Sequence, residues 1–133
     1  MTERRFDAVF CDDLRQEING KHILIGVYGG SLIPSTLPAQ LAICVWLRVT
    51  PPIAGPHRFK LGLRTDAGEA GVQGDLDFAP TSDSHPIAIA TGQIPITVTK
   101  PGMIEAIFSL DEGPEQVVGT LAVEGARVIP TNV

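Results

Sequence analysis

The sequence lacks a basic stripe, a long apolar run and all but two cysteines, and each absence argues against a class of protein. Asp, Glu, Lys and Arg make up 19% of the 133 residues, with a net charge of −5. The Lys and Arg residues are scattered and form no basic stripe, which argues against a nucleic-acid partner held by phosphate contacts. No apolar run approaches the length needed to cross a bilayer, so no membrane partner is expected. Met1 to Arg5 leads straight into strand-like sequence without a secretory apolar region, and the expected location is cytoplasmic. Cys11 and Cys44 are the only two cysteines. Both fall in predicted strands of an unexported chain, so they are expected reduced and buried, with a disulfide between two sheets left open as the alternative. There is no Gly-rich phosphate loop, no HExxH and no CxxC. The three histidines, His22, His57 and His85, are far apart in unlike contexts and carry no metal-ligand spacing, so no cofactor is expected.

Apolar residues and turn formers are plentiful. The apolar fraction is 44%, and fourteen glycines and eleven prolines punctuate the chain along its whole length. No segment keeps helical periodicity over more than about ten residues. Short alternating runs broken by Gly and Pro predict a single domain over 1–133, an all-β antiparallel sandwich of immunoglobulin-like type with about eight strands. A small barrel is the alternative architecture.

The sharpest local signature is Phe6 to Tyr28, FDAVFCDDLRQEINGKHILIGVY. Asn19-Gly20 between apolar runs predicts a two-residue type I′ hairpin turn. That turn sets Gln16 opposite Ile23, Leu14 opposite Ile25 and Asp12 opposite Val27. Leu14, Ile18, Ile23, Ile25 and Val27, continued by Phe6, Ala8 and Phe10, then form the core face. Asp12 falls on that face as a candidate buried polar site. A bulge at Cys11–Asp13 would turn it outward; without one it needs a buried partner, a ligand or a metal.

Further along, Leu41–Val49 is apolar on both faces. It predicts a central strand, or one whose Trp46 face is covered by a loop or a partner. Arg58–Thr65 alternates, with Phe59, Leu61 and Leu63 inward and Arg58, Lys60 and Arg64 outward. Val72–Phe78 returns with Val72, Leu76 and Phe78 inward and Asp75 and Asp77 outward, so cations meet carboxylates across the ribbon. Ile87–Thr99, interrupted by Gly92 and Pro95, predicts two short strands or one bulged edge strand. Met103–Leu110 and Val117–Val123 predict a second hairpin about the Asp111–Pro114 loop, with Val117, Gly119, Leu121 and Val123 sharing a face.

Candidate interface residues are Trp46, Arg48, Arg58, Lys60 and Arg64. Asp12, Asp13, Asp75, Asp77 and Asp83 could gather about Ca²⁺ at one end of a sandwich, but no contiguous DxDxDG-type loop supports it over a solvated acidic surface. Asp83-Ser84-His85 reads as turn chemistry rather than a triad. A Cys11 thiolate assisted by His22 is opposed by their places at opposite ends of the hairpin.

The run AVFCDDLRQEINGKHILIGVYGGSLIP is similar to the opening of an uncharacterised family of small bacterial proteins, and PGMIEAIFSLDEGPEQVVGTLAVE resembles its second half. The resemblance implies a small β-sandwich and transfers no activity or site residue. With no catalytic constellation, apolar residues on both faces of Leu41–Val49 and open sheet edges, the expected function is a non-enzymatic module that binds a protein partner or itself. The alternatives are an assembly component such as a phage virion protein and, third, a metal-binding or thiol enzyme.

Overall fold

The computed structural model describes residues 4–50, 55–78 and 87–125. Within them are ten strands and no helix: β1 (Arg5–Gln16), β2 (His22–Val27), β3 (Ser31–Leu32), β4 (Ala39–Thr50), β5 (Gly55–Thr65), β6 (Gly68–Phe78), β7 (Ile87–Ala90), β8 (Ile94–Val98), β9 (Gly102–Leu110) and β10 (Gln116–Val123). They make two open sheets stacked face to face, an all-β sandwich rather than a closed barrel. The first sheet runs β2-β1-β4, with β7 and β8 both on the far side of β4; the second runs β3-β10-β9-β5-β6. The pairings are antiparallel except β3 against β10, which is parallel. No helix among the described residues is long and apolar enough to cross a membrane. The Asp83-Ser84-His85 loop and the tail from Arg127 lie outside the described residues.

Alternation along each strand supplies the core. Phe10 of β1 and Ile43, Val45, Leu47 and Val49 of β4 face Leu61 and Leu63 of β5, Ile104, Ala106 and Phe108 of β9, and Leu121 and Val123 of β10. Each Val, Leu, Ile or Phe among them contributes about 1.5–3 kcal/mol by leaving water. Phe6 joins the two sheets at one end, its ring centroid 5.6 Å from that of Phe108.

β4 is central, flanked by β1 on one side and β7 and β8 on the other. β7 and β8 are one strand with a bulge. Trp46 pairs with Ala90 and Ile43 with Ile94, so Thr91–Gln93 stand opposite Cys44–Val45, one residue too many. Thr91 repairs the ladder there: its N–H donates to the Val45 carbonyl and its Oγ1 accepts from the Val45 N–H, each at 2.9 Å. Pro95 sits on this edge strand, where its missing N–H interrupts nothing.

β9 and β10 form the expected hairpin, but its register shifts between Val117 and Gly119. This bulge reverses the alternation predicted for the start of β10. Val118 turns inward, at 9% exposure, and Val117 outward, at 48%. Gly119 marks a close approach of the sheets, since a Cβ there would lie 2.7 Å from the Cβ of Ala8 on β1.

Candidate functional site

The β1–β2 hairpin departs most from the register the sequence predicts. Its turn is a three-residue loop. The Gly20 N–H donates to the Glu17 carbonyl at 3.0 Å, and the Glu17 N–H to the Lys21 carbonyl at 2.7 Å. Gly20 takes φ +86. This is a type I turn closed by a left-handed glycine, the other hairpin form that Asn-Gly suits. The longer loop slips the register by one residue: Gln16 pairs with His22, Leu14 with Leu24 and Asp13 with Ile25. A slip of one turns a strand's whole side-chain set over. Ile23, Ile25 and Val27, predicted in the core, instead point to solvent at 42%, 44% and 55% exposure, and Ile18 stands fully exposed in the loop.

The hairpin also bends. Trp46 pairs with Val9, while His22 pairs with Gln16, seven positions further along β1. At roughly 3.3 Å per residue a straight ribbon would hold His22 about 23 Å away along the strand. Yet the Trp46 indole Nε1–H donates to His22 Nδ1 at 3.2 Å. The distal half of the hairpin is therefore folded back over the outer face of the first sheet. The fold-back starts at Asp12 and Gly26. Gly26 takes φ +69, and a Cβ there would run into Asp12 Oδ2.

Asp12 is exposed, which corrects the buried polar site predicted for it. Its carboxylate Oδ1 accepts from the Tyr28 hydroxyl at 2.6 Å. Its backbone carbonyl accepts from Gln93 Nε2 at 3.1 Å and from the Cys44 thiol at 3.8 Å. Burial and this carboxylate push the Tyr28 hydroxyl up to about 12.

Beneath the hairpin lie the two thiols. Cys11 and Cys44 face each other directly across β1 and β4, on the outer face and within a single sheet, not between sheets. They are 0% and 1% exposed. The Cys44 thiol donates to the Asp12 carbonyl, at the point where the ribbon bends, so the base of the hairpin covers it. Burial pushes the Cys11 thiol up to about 11 and raises Cys44 as well. Neither thiol is activated as a nucleophile.

The five candidate interface residues do not form one patch. Trp46 and Arg48 lie on the outer face of the first sheet, where Trp46 is half-buried and covered by the hairpin. Arg58, Lys60 and Arg64 lie on the outer face of the second sheet, across the sandwich, and each meets a carboxylate. Arg58 lies 3.7 Å from Asp75, as the ribbon register predicts, and Lys60 lies 3.1 Å from Glu115. Arg64 spans Glu105 at 3.1 Å and Glu115 at 3.7 Å. Asp12 and Asp13 belong to the first sheet and Asp75 and Asp77 to the edge of the second; Asp83 lies outside the described residues. Among the described residues no group of three or more His, Cys, Asp or Glu side chains could hold a metal ion.

What the structure brings together is the outer edge of the hairpin. Among the described residues β2 is the terminal strand of its sheet. Between His22 and Tyr28 it carries no charged residue and no proline. Its three exposed aliphatics are flanked on β1 by Asp13 and Arg15, which neutralise each other at 3.3 Å. The sequence profile of a family of unknown function (DUF6941) matches residues 7–122, from the start of β1 to the end of β10. The chain belongs to this family. No curated protein matches the sequence. The family thus covers the sandwich, hairpin included, and assigns it no activity.

Proposed function

We propose that this protein is a non-enzymatic β-sandwich module that binds through the free edge of β2, and that the chain it binds is a second copy of itself. The observation that carries this reading is the row Ile23, Ile25 and Val27 exposed on an uncharged terminal strand. Native edge strands are guarded by lysine, proline or inward charge. None of these occurs from His22 to Val27.

A second copy suits this edge because an antiparallel strand is self-complementary across a two-fold axis. With the axis at Ile25, Ile25 meets its own copy and Ile23 of one chain meets Val27 of the other. The net charge of −5 would oppose self-association generally. The Asp13–Arg15 pair leaves this edge locally neutral. The buried reduced thiols are consistent with a cytoplasmic setting.

The test is sedimentation velocity across a concentration series on the wild type and on Ile25→Lys. The wild type is expected to dimerise and the variant to stay monomeric with an unchanged circular dichroism spectrum. A wild type that is monomeric throughout, or a variant as dimeric as the wild type, overturns the reading.

A further inference from the structure

We infer that Cys11 and Cys44 are a reversible oxidation site, closing as an intrachain disulfide across β1 and β4 when the protein meets a small disulfide of the glutathione class. This assignment does not depend on how β2 is used.

The geometry carries it. Directly opposed residues of antiparallel strands have Cα atoms about 4.5–5.5 Å apart. That lies inside the range of about 4.4–6.8 Å that a disulfide spans. Cys11 and Cys44 are such a pair, and being opposed they project from the same face of the sheet. Both are buried side by side on that face, at 0% and 1% exposure. Bond formation therefore needs side-chain rotation and no new backbone arrangement. Both residues are free thiols.

The surroundings set how the reaction proceeds. The sulfurs are buried, with the Asp12 carbonyl over Cys44, and burial keeps Cys11 protonated near neutral pH. Attack thus requires the hairpin to lift from the outer face, which makes oxidation slow and gated by that motion. One cysteine loses its proton to solvent and attacks the small disulfide, forming a mixed disulfide and expelling one glutathione thiolate. The second cysteine, also deprotonated, attacks the protein sulfur of that mixed disulfide. The Cys11–Cys44 bond forms and a second glutathione leaves. Two protein thiols are oxidised and one glutathione disulfide is reduced to two thiols.

Closure has a structural consequence. The Cys44 thiol donates to the Asp12 carbonyl, at the point where the hairpin bends. A disulfide has no proton to donate, so that bond is lost on oxidation. Trp46, the only tryptophan, is tied to the hairpin through His22 and reports the change.

The experiment equilibrates the native protein in glutathione buffers of increasing oxidation, quenches with iodoacetamide under denaturing conditions and reads the intact mass. The expected product is the monomer lacking two hydrogens, with neither cysteine alkylated. It should form with the circular dichroism spectrum retained, alter the Trp46 emission and revert fully with dithiothreitol. Cys44→Ser should instead stop at a glutathione adduct on Cys11. Wild-type protein that keeps both thiols alkylatable at every potential overturns the inference. So does oxidised material that is only a covalent dimer, or that has lost its strand spectrum.

Discussion

The indole N–H of Trp46 donates to the imidazole Nδ1 of His22 at 3.2 Å, joining the middle of β4 to the far end of the β1–β2 hairpin. This one bond reports that the hairpin lies over the sheet instead of extending from it. His22→Ala should release the hairpin tip and uncover the indole. The expected loss is about 1 kcal/mol, with a red shift of Trp46 emission. Urea titration followed by fluorescence reads both, and an unchanged emission maximum would contradict the bend.

Gly26 and Asp12 form the hinge of that bend. Gly26→Ala meets two penalties: a left-handed φ of +69 and the Asp12 carboxylate in the space of the new Cβ. The first is worth about 1–2 kcal/mol. The second adds to it, for a loss of about 2 kcal/mol or more. Asp12→Ala removes the carboxylate and leaves the φ, so Gly26→Ala should be less damaging in that background. A double-mutant cycle from denaturant midpoints measures the coupling; full additivity would place the carboxylate elsewhere.

Alkaline stability should depend on the residues around this hinge. Cys11 moves from 9.0 up to about 11, by burial first, and Tyr28 from 10.0 up to about 12, by burial and then by Asp12. Groups whose folded values are raised stabilise the fold fully below their unfolded values and lose that contribution as pH rises. Melting temperature should therefore fall between about pH 9 and 12. Because Tyr28 is the only tyrosine, ultraviolet titration follows it alone. Asp12→Asn should bring its value down towards 10. On the acid side Asp111 is held low by His57 and then by the Arg58 N–H. Its support is present above the ordinary carboxylate range and fades as pH falls through its lowered value, and Asp111→Asn should flatten that limb.

The cations of the second sheet should matter less. Lys60, Arg64, Glu105 and Glu115 are each about one-third exposed, at 33%, 39%, 36% and 38% of their side chains. Ion pairs so placed contribute about 0–1 kcal/mol and are screened by salt. Glu115→Ala should destabilise within that range at low ionic strength and hardly at all in high salt. A salt-independent loss would show that Glu115 serves packing rather than charge.

How much of this was legible in the sequence follows from where bulges and loops fall. Alternation of Leu61 with Leu63, of Ile104 with Phe108, and of Ile43 through Val49 needs only period two, and it placed the core. Glycine and proline in Ile87–Thr99 announced the break that became the bulge at Thr91–Gln93. Asn19-Gly20 located the first turn but not its length, since two- and three-residue loops both favour this dipeptide. One extra residue in the loop moved Ile23, Ile25 and Val27 from the core to solvent. The bulge at Val118 worked the same way on β10. The fold-back over Cys11 and Cys44 is a tertiary bond between Trp46 and His22, residues 24 positions apart, and no local pattern encodes it. A partial signal was present in HILIGVY, which carries apolar residues on both faces, so either face could have been the inner one.

The account turns on the free edge of β2, and hydrogen exchange at its backbone amides tests that most directly. In an antiparallel edge strand alternate N–H groups point away from the sheet and exchange readily. If β2 pairs with a second copy, the outward amides between His22 and Val27 should exchange more slowly as protein concentration rises, and Ile25→Lys should abolish that dependence. Exchange at β2 that stays independent of concentration while the protein associates would place the contact on another surface and contradict the account.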